Sequence, residues 1–467
     1  MNQLLSIGDT LRDDVSGQRL EIVEHLGSGS QGEVYRVRMG NADFALKWYF
    51  QAAATEAQAA AIQALVRKGS PSPCFLWPLA LISASNVNGF GYLMGLRAFG
   101  YRNLRELVKR SVVVDFETRM TIGFELAQNF LLLHSRGLCY RDISLGNVFF
   151  EPATGSVLIC DTDNVGIDGA SDSGVLGTPK FMAPEIVRGE DPPSAATDLY
   201  SLAVLLFYLM MVAHPLDGAR EASIHSMDEP ARRHLYGTEP IFVFDPGDGS
   251  NRPVPGIHDN ALTHWPIYPQ FLRDLFTQSF TVGMTDPHRR VRESEWRVAL
   301  IRARDLVAEC PSCGAQVLYD IPTFIKSGTL NGCWSCHTTL TPGSWLDSGT
   351  AIIAIRPGAR IYPHHMSVQS RWDFSAPLAE IAQHPSQPGR YGLRNTPGRP
   401  LVATKPDGTE IEVPSGRAVD LSPGLRLDFG SGLVVVESAD DPAEIAAETA
   451  VGAVPTLPPG APTGTAS

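Results

Sequence analysis

The chain has 467 residues and a formal net charge of −12, from 38 Lys and Arg against 50 Asp and Glu. That balance excludes a chain-wide nucleic-acid-backbone binder, whose affinity rests on clustered cations. The content of 43% hydrophobic and 19% charged residues suits a globular chain of about three domains.

The most apolar run, Leu199–Ala213, is shorter than the roughly 20 residues a membrane helix needs, and it reads as a buried core helix. The opening MNQLLSIGDTLRDD has neither a basic region nor a long apolar stretch, so no signal peptide is expected. Seven cysteines include two CxxC pairs, while Cys74, Cys139 and Cys160 are scattered. This usage points to a reduced, cytoplasmic protein with a metal site rather than a disulfide framework.

In chain order, residues 18–50 predict strand, glycine turn, strand, strand. Residues 51–67 are Ala-rich and predict a helix. FLWPLALI and GFGYLMGL predict two further strands. Helical periodicity takes over from about residue 103, with NLRELVKR and FETRMTIGFELAQNFLLLHSRG. LGNVFF and GSVLIC predict short strands, followed by a Gly/Ser/Asp-rich loop and a helix at 198–213. Helices continue to about residue 308. Residues 349–437 hold short apolar runs separated by Pro-Gly, Asp-Gly and Ser-Gly turns, which predicts an all-β module. Residues 438–467 are rich in Ala, Pro, Gly and Thr and predict a disordered tail.

The chemistry-bearing motifs lie in the first two-thirds. Gly27-Ser28-Gly29-Ser30-Gln31-Gly32-Glu33-Val34 is a G-x-G-x-x-G-x-V turn, where missing Cβ atoms let backbone amides approach phosphate. Lys47 ends the strand Phe44-Ala45-Leu46-Lys47. Tyr140-Arg141-Asp142 is followed by Asn147, and the strand Val157–Cys160 runs into Asp161. Gly177-Thr178-Pro179 precedes Ala183-Pro184-Glu185, and Asp198 and Arg290 come later. In this order and spacing, residues 18–308 resemble the eukaryotic-like protein kinase family, in its bacterial Ser/Thr form.

The resemblance implies an α+β, bilobal kinase fold over 1–308, with a small lobe at about 18–97 and a large lobe at about 98–308. Phosphoryl transfer depends mainly on positioning and charge neutralisation. Gly27, Ser28, Gly29 and Gly32 would then cover the ATP phosphates, and Lys47 would hold the α- and β-phosphates. Asp142 would orient the substrate hydroxyl and accept its proton, and Asn147 and Asp161 would hold Mg²⁺ or Mn²⁺. Val34, Ala45 and Leu96 would line the adenine pocket, with Met94 at its back and the hinge at about 95–97. Glu185 and Arg290 would form a buried ion pair, and Asp198 would brace the catalytic loop. Thr178 beside Asp142 favours Ser/Thr acceptors. Arg141 can grip a phosphate on the activation segment, for which Ser171 and Ser173 are the candidate acceptors; they are equally readable as loop serines.

Three departures qualify the resemblance. The usual Asp-Phe-Gly reads Asp161-Thr162-Asp163, and strand register favours Asp161 as metal ligand, with Asp163 the alternative. Ser144 stands where a Lys is usual. The helix glutamate that pairs with the strand Lys is either Glu56, close in sequence, or missing, since Gln63 at the more usual spacing is uncharged. The alternative to an active, autophosphorylating kinase is a pseudokinase scaffold that binds nucleotide and recruits partners.

Cys310-Pro311-Ser312-Cys313 and Cys333-Trp334-Ser335-Cys336 place four thiolates as two knuckles, the pattern of a structural Zn²⁺ site. Residues 309–345 resemble a zinc ribbon; a rubredoxin-like iron site uses the same ligands. With one Lys and no Arg, this segment is poorly equipped to bind DNA. Residues 349–437 resemble a forkhead-associated β-sandwich in GARIYPHH and YGLRNTPGR…GRAVDLSPGLRLDFG, without its Asn-Gly-Thr and Ser-x-x-His features. That resemblance would imply phosphothreonine binding, with Arg360 as a candidate phosphate ligand. The kinases resembled occur beside metal-dependent protein phosphatases and von Willebrand A-type proteins, so such partners are implied, together with protein substrates in a signalling role.

Overall fold

In a computed structural model, which describes residues 4–85, 87–169, 176–387, 389–396 and 401–439, the first unit spans Met1–Arg304. It opens with β1 (Thr10–Arg12), β2 (Arg19–Ser28), β3 (Gly32–Met39) and β4 (Ala42–Tyr49). After α1 (Glu56–Lys68) come β5 (Ala80–Ala84) and β6 (Val87–Gly95). These strands form one antiparallel sheet in the order β1-β2-β3-β4-β6-β5. Side chains alternate across it, so Leu20, Ile22, Tyr35, Val37, Leu46 and Trp48 bury one face. Ala45, Tyr49, Tyr92 and Met94 line the other face, where Ile62 of α1 packs.

The helix expected at 51–67 starts only at Glu56. Thr55 caps it by accepting from Gln58 N, and residues 51–53 form a turn instead. The strand expected from Phe75 starts at Ala80. Phe75 makes a single bridge to Ile159, and Pro78 has no N–H to give a ladder. Strand β1 escaped the sequence reading; with Leu5 and Leu11 buried, it carries the small-lobe core to the N-terminal side of residue 18.

The rest of the first unit is mostly helical. It holds α2 (Leu104–Val108), α3 (Phe116–His134), α4 (Pro184–Arg188) and α5 (Ala195–Met211). Ser194 caps α5. This helix is apolar on nearly every face because neighbours surround it, which is why its sequence mimics a membrane segment. Among the described residues no helix is long and apolar enough to cross a membrane. Two small sheets accompany these helices: β7 (Arg102–Asn103), just before α2, joins β9 (Val148–Phe150) and β10 (Val157–Ile159), and β8 (Leu138–Cys139) pairs with β11 (Gly166–Ile167). They hold the loops at 140–147 and 161–165 side by side. The candidate acceptors Ser171 and Ser173 lie outside the described residues.

The second unit spans Asp305–Ser467. It begins with the hairpin β12 (Val307–Glu309) and β13 (Gln316–Leu318), from which the first CxxC turn projects. Ten strands follow, from β14 (Ser344–Asp347) and β15 (Ile352–Ala354) to β23 (Leu433–Ser438). Between them lie β16 (Arg360–Ile361), β17 (Ala379–Gln383), β18 (Tyr391–Asn395), β19 (Leu401–Thr404), β20 (Glu410–Val413), β21 (Ala418–Asp420) and β22 (Arg426–Asp428). Together they form a six-stranded sheet (β15-β14-β23-β22-β19-β20) and a four-stranded sheet (β16-β17-β18-β21). Leu346, Ile353, Val434 and Val436 from one sheet meet Ile361, Ile381 and Leu393 from the other in a shared core. This is a two-layer sandwich. The turn-bounded runs anticipated most of its strands. Ser344–Asp347, Ala379–Gln383 and Ala418–Asp420 escaped notice because their apolar residues are few and interleaved with charge. The expected tail at 440–467 lies outside the described residues.

Candidate active site

Strand pairing builds the upper wall of a cleft. Gly29 N donates to Gly32 O at 2.8 Å, which closes the tip of the β2–β3 hairpin. Gly32 is required by packing, since a Cβ there would lie 2.2 Å from Trp48 O. A Cβ on Gly27 would meet nothing within 4 Å, and one on Gly29 only Gly32 O at 3.9 Å. Their smallness leaves open space for a ligand rather than room for a neighbour. Ser28 follows Gly27 at the end of β2. Ala45 and Met94 face each other across β4 and β6, with Val34 and Leu96 packed on the same apolar cluster. The four residues expected around an adenine therefore share one surface.

Lys47 lies within β4, which runs two residues past the end expected from the sequence, and its side chain is only 7% exposed. Its Nζ donates to both oxygens of Asp163, at 3.0 and 2.8 Å, and lies 3.5 Å from Asp161 Oδ1. It also reaches Gln31 Oε1 at 3.3 Å, so the glycine turn leans onto the cleft. Burial alone would lower the Lys47 pKa, but Asp163 and Asp161 outweigh it and raise it, keeping the ammonium charged. The helix glutamate is absent from this arrangement. Glu56 is exposed in the first turn of α1, and Gln63 lines a separate cavity of about 440 Å³ with Leu79 and Leu81. The sequence reading missed Asp163 in this role. The signal available was an α1 with one acid, placed in its first turn, and a Lys that burial requires to be paired.

The lower wall carries the loop at 140–147. Asp142 is held at both oxygens: Thr178 Oγ1 donates to Oδ1 at 2.6 Å and Asn147 Nδ2 to Oδ2 at 3.0 Å. Asn147 Nδ2 also donates to Asp142 O at 2.9 Å, leaving its carbonyl oxygen as an acceptor for a cation. Asp198 grips the loop from below, accepting from Arg141 N at 3.0 Å and from Tyr140 N. Gly166 packs on the Arg141 guanidinium, where a Cβ would fall 2.1 Å from it.

Asp161 adopts the left-handed region at φ 49°, which costs a non-glycine residue free energy and turns the chain out of β10. Its carboxylate is 43% exposed at the floor of the cleft. Burial in that concavity holds its pKa above the ordinary carboxylate range, against the pull of Lys47 and with Asp163 and Asp142 adding to the rise. Three carboxylates against one ammonium is an excess of negative charge that a divalent cation would offset, so Asn147 and Asp161 fit the metal expected here.

The four cysteines also converge. Cys310 Sγ lies 3.7 Å from Cys336 Sγ, and Cys313 Sγ lies 3.8 Å from Cys333 Sγ. All four sulfurs lie within 4.8 Å of one another. A tetrahedron of Zn–S bonds of about 2.3 Å has sulfur–sulfur edges of about 3.8 Å. The cluster fits a closed four-thiolate site. Asp305, His364 and His365 form a second group within 4.8 Å. There Tyr362 N–H donates to His365 Nδ1 at 2.9 Å, so the ring proton sits on Nε2, facing Asp305 Oδ2 at 3.3 Å. A ring in that tautomer presents a cation no lone pair at Nε2.

Comparison with known proteins agrees with this geometry. Residues 20–241 match the family model "Protein kinase domain". Residues 20–241 thus carry a protein kinase domain. It is 27% identical to human ribosomal protein S6 kinase alpha-4 over 49% of the chain, and 24% identical to the probable serine/threonine-protein kinase kinY of Dictyostelium discoideum over 50%. A dual serine/threonine and tyrosine protein kinase of Gallus gallus is 31% identical over 31% of the chain. The chain spans 31%, 44% and 16% of these relatives, respectively. The kinase domain therefore accounts for the likeness. Arg290 and the cysteine cluster lie beyond the matched residues.

Proposed function

We propose that this chain transfers the γ-phosphate of ATP to Ser or Thr hydroxyls of protein substrates, itself included. The observation that carries the reading is the doubly held Asp142 carboxylate, 2.6 Å from Thr178 Oγ1 and 3.0 Å from Asn147 Nδ2. A carboxylate so fixed can accept one hydrogen bond from an acceptor hydroxyl and take its proton as the oxygen attacks phosphorus. Lys47 would bind the non-transferred phosphates, and the apolar surface of Val34, Ala45, Met94 and Leu96 would take the adenine. Mg²⁺, held by Asn147 and Asp161, would supply charge neutralisation between phosphates. The open space over Gly27 and Gly29 would admit the phosphates beneath the turn.

In the same reading, the Cys310–Cys336 cluster holds Zn²⁺ as a folding element. The sandwich at 344–438 recruits partners, phosphothreonine peptides being the class its resemblance suggests. Phosphatase and von Willebrand A-type partners rest on resemblance alone.

The test is incorporation of labelled phosphate from Mg·ATP, by autophosphorylation and onto a basic protein, in wild type, Asp142→Asn and Asp161→Asn. Incorporation that both variants abolish is the expected result. Nucleotide binding without incorporation in wild type, with candidate partners added, would leave the pseudokinase scaffold as the better reading.

A further inference from the structure

We propose that Asp163 is the positioning residue for Lys47, taking the place of a helix carboxylate, and that it is not a metal ligand. This rests on the reading of the domain as an active kinase. Lys47 is 7% exposed and the Asp163 side chain 0%. An ammonium buried to that degree must be paired and hydrogen-bonded. The only acid of α1 is Glu56, exposed at the helix start, and α1 carries Arg67 and Lys68 in its last turn. The helix therefore supplies no partner.

Asp163 supplies it and is used up in doing so. Its Oδ2 accepts from Lys47 Nζ at 2.8 Å and Tyr49 OH at 2.6 Å. Its Oδ1 accepts from Lys47 Nζ at 3.0 Å and Tyr92 OH at 3.2 Å. Four hydrogen bonds from three donor groups on two oxygens, with no solvent exposure, leave no lone pair directed at a cation. Asp161, two residues earlier, has the opposite character: it is partly open and 3.5 Å from the ammonium. Thr162 between them is pinned by Oγ1 donating to Leu76 O at 2.8 Å. A single Asp-Thr-Asp segment thus divides two tasks, one carboxylate for the metal and one for the lysine.

The division has a regulatory consequence. Where a helix holds the lysine, swinging the helix away disarms it. Here α1 packs against the segment Thr162–Asn164, and its Gln58 Nε2 donates to Tyr49 OH at 3.1 Å, but no side chain of α1 is bonded to Lys47 Nζ or to the Asp163 carboxylate among the described contacts. The partner of the lysine is thus carried by the segment 161–164 and not by the helix itself, so control of the lysine would pass to that segment.

The experiment compares Asp163→Asn, Asp161→Asn and Glu56→Gln. Turnover is measured per nucleotide-binding site, so that loss of folded protein does not count, and nucleotide affinity is titrated against Mg²⁺. Asp163→Asn is expected to lower turnover by about tenfold or more with the Mg²⁺ half-saturation unchanged. Asp161→Asn is expected to shift the Mg²⁺ response itself, and Glu56→Gln to keep turnover within about twofold of wild type. An Asp163→Asn variant with normal turnover per site, or with a Mg²⁺ half-saturation raised about tenfold, overturns the proposal. So does a Glu56→Gln variant with a tenfold loss. Should Asp163→Asn not fold, Tyr92→Phe loosens the same carboxylate. It should lower turnover per site at constant Mg²⁺ half-saturation, and the reverse pattern refutes the assignment. Absence of turnover in wild type would count against the kinase reading, whereas an Mg²⁺ titration altered by Asp163→Asn would count against this one.

Discussion

Arg290 and Glu185, 105 residues apart, meet in a buried bidentate pair at 2.7 and 2.8 Å. The same guanidinium donates to Ala196 O and Gly283 O, at 2.8 and 2.9 Å, so one side chain ties α4 to the start of α5 and to the nearby short helix Val282–Thr285. Both partners are almost inaccessible, at 1% and 6% side-chain exposure. Arg290→Ala would strand a buried carboxylate and two carbonyls. The expected cost is about 3–5 kcal/mol, read as a lower midpoint in urea denaturation. Replacing both residues by apolar ones of similar size should cost less than the single change, because no charge is then left unpaired.

His134 sits between two acids, with Nε2 3.1 Å from Asp198 Oδ2 and Nδ1 against Glu293. Burial alone would lower its pKa, but the hydrogen bonds and charges of these carboxylates raise it from 6.5 to about 9. A raised histidine pKa means that the folded protein binds the proton more tightly than the unfolded chain. The resulting stability is fully present below about pH 6.5 and is lost as pH rises through about 9. The loss approaches about 3 kcal/mol at its limit. Denaturation of wild type and His134→Gln between those limits should show the wild-type slope disappear in the variant.

The residues proposed to handle phosphate lie in motifs whose spacing a strand or tight turn enforces, so their placement near one another was legible. Lys47 lies in β4 two residues before its end, Asp142 and Asn147 share one loop, and Asp161 follows β10. The partner of Lys47 was not legible. Sequence shows Asp161-Thr162-Asp163 but not which oxygens are saturated, and that depends on Tyr49 and Tyr92 converging from two different strands. Burial and the Asp163 carboxylate push both phenols up, so they remain donors throughout the neutral range. The sandwich strands were legible where turns bound them. Where charge interrupts the alternation, as in Ala379–Gln383, only the facing sheet identifies the inward residues Ala379 and Ile381.

Thr178 offers a narrower test of catalysis. Its hydroxyl holds Asp142 Oδ1 at 2.6 Å while Asn147 holds Oδ2. Thr178→Val keeps the shape and removes the donor. One lost hydrogen bond to a charged group is worth about 1.5 kcal/mol or more, hence turnover lower by about tenfold. KM for ATP should stay near wild type, since Thr178 is bonded to Asp142, the proposed base, and not to the proposed nucleotide surface. Thr178→Ser should retain most of the rate. A matching rise in KM without loss of turnover would instead place Thr178 in binding.

The cysteine cluster predicts one metal ion per chain. Its supporting core is small: Val307, Ala308, Val317, Leu318, Ile321 and Leu340 are buried around the two knuckles. So few apolar side chains do not hold a fold against chain entropy without a cross-link, and a four-thiolate metal supplies one. Elemental analysis of protein purified without chelator should find zinc at unit stoichiometry, and Cys313→Ser should abolish it. Visible absorbance from thiolate-bound iron would assign the rubredoxin alternative. Stripping the metal should expose the amides of 307–340 to hydrogen exchange. The antiparallel β12–β13 hairpin, paired from Val307–Leu318 to Glu309–Gln316, should lose protection first because its turn carries Cys310 and Cys313.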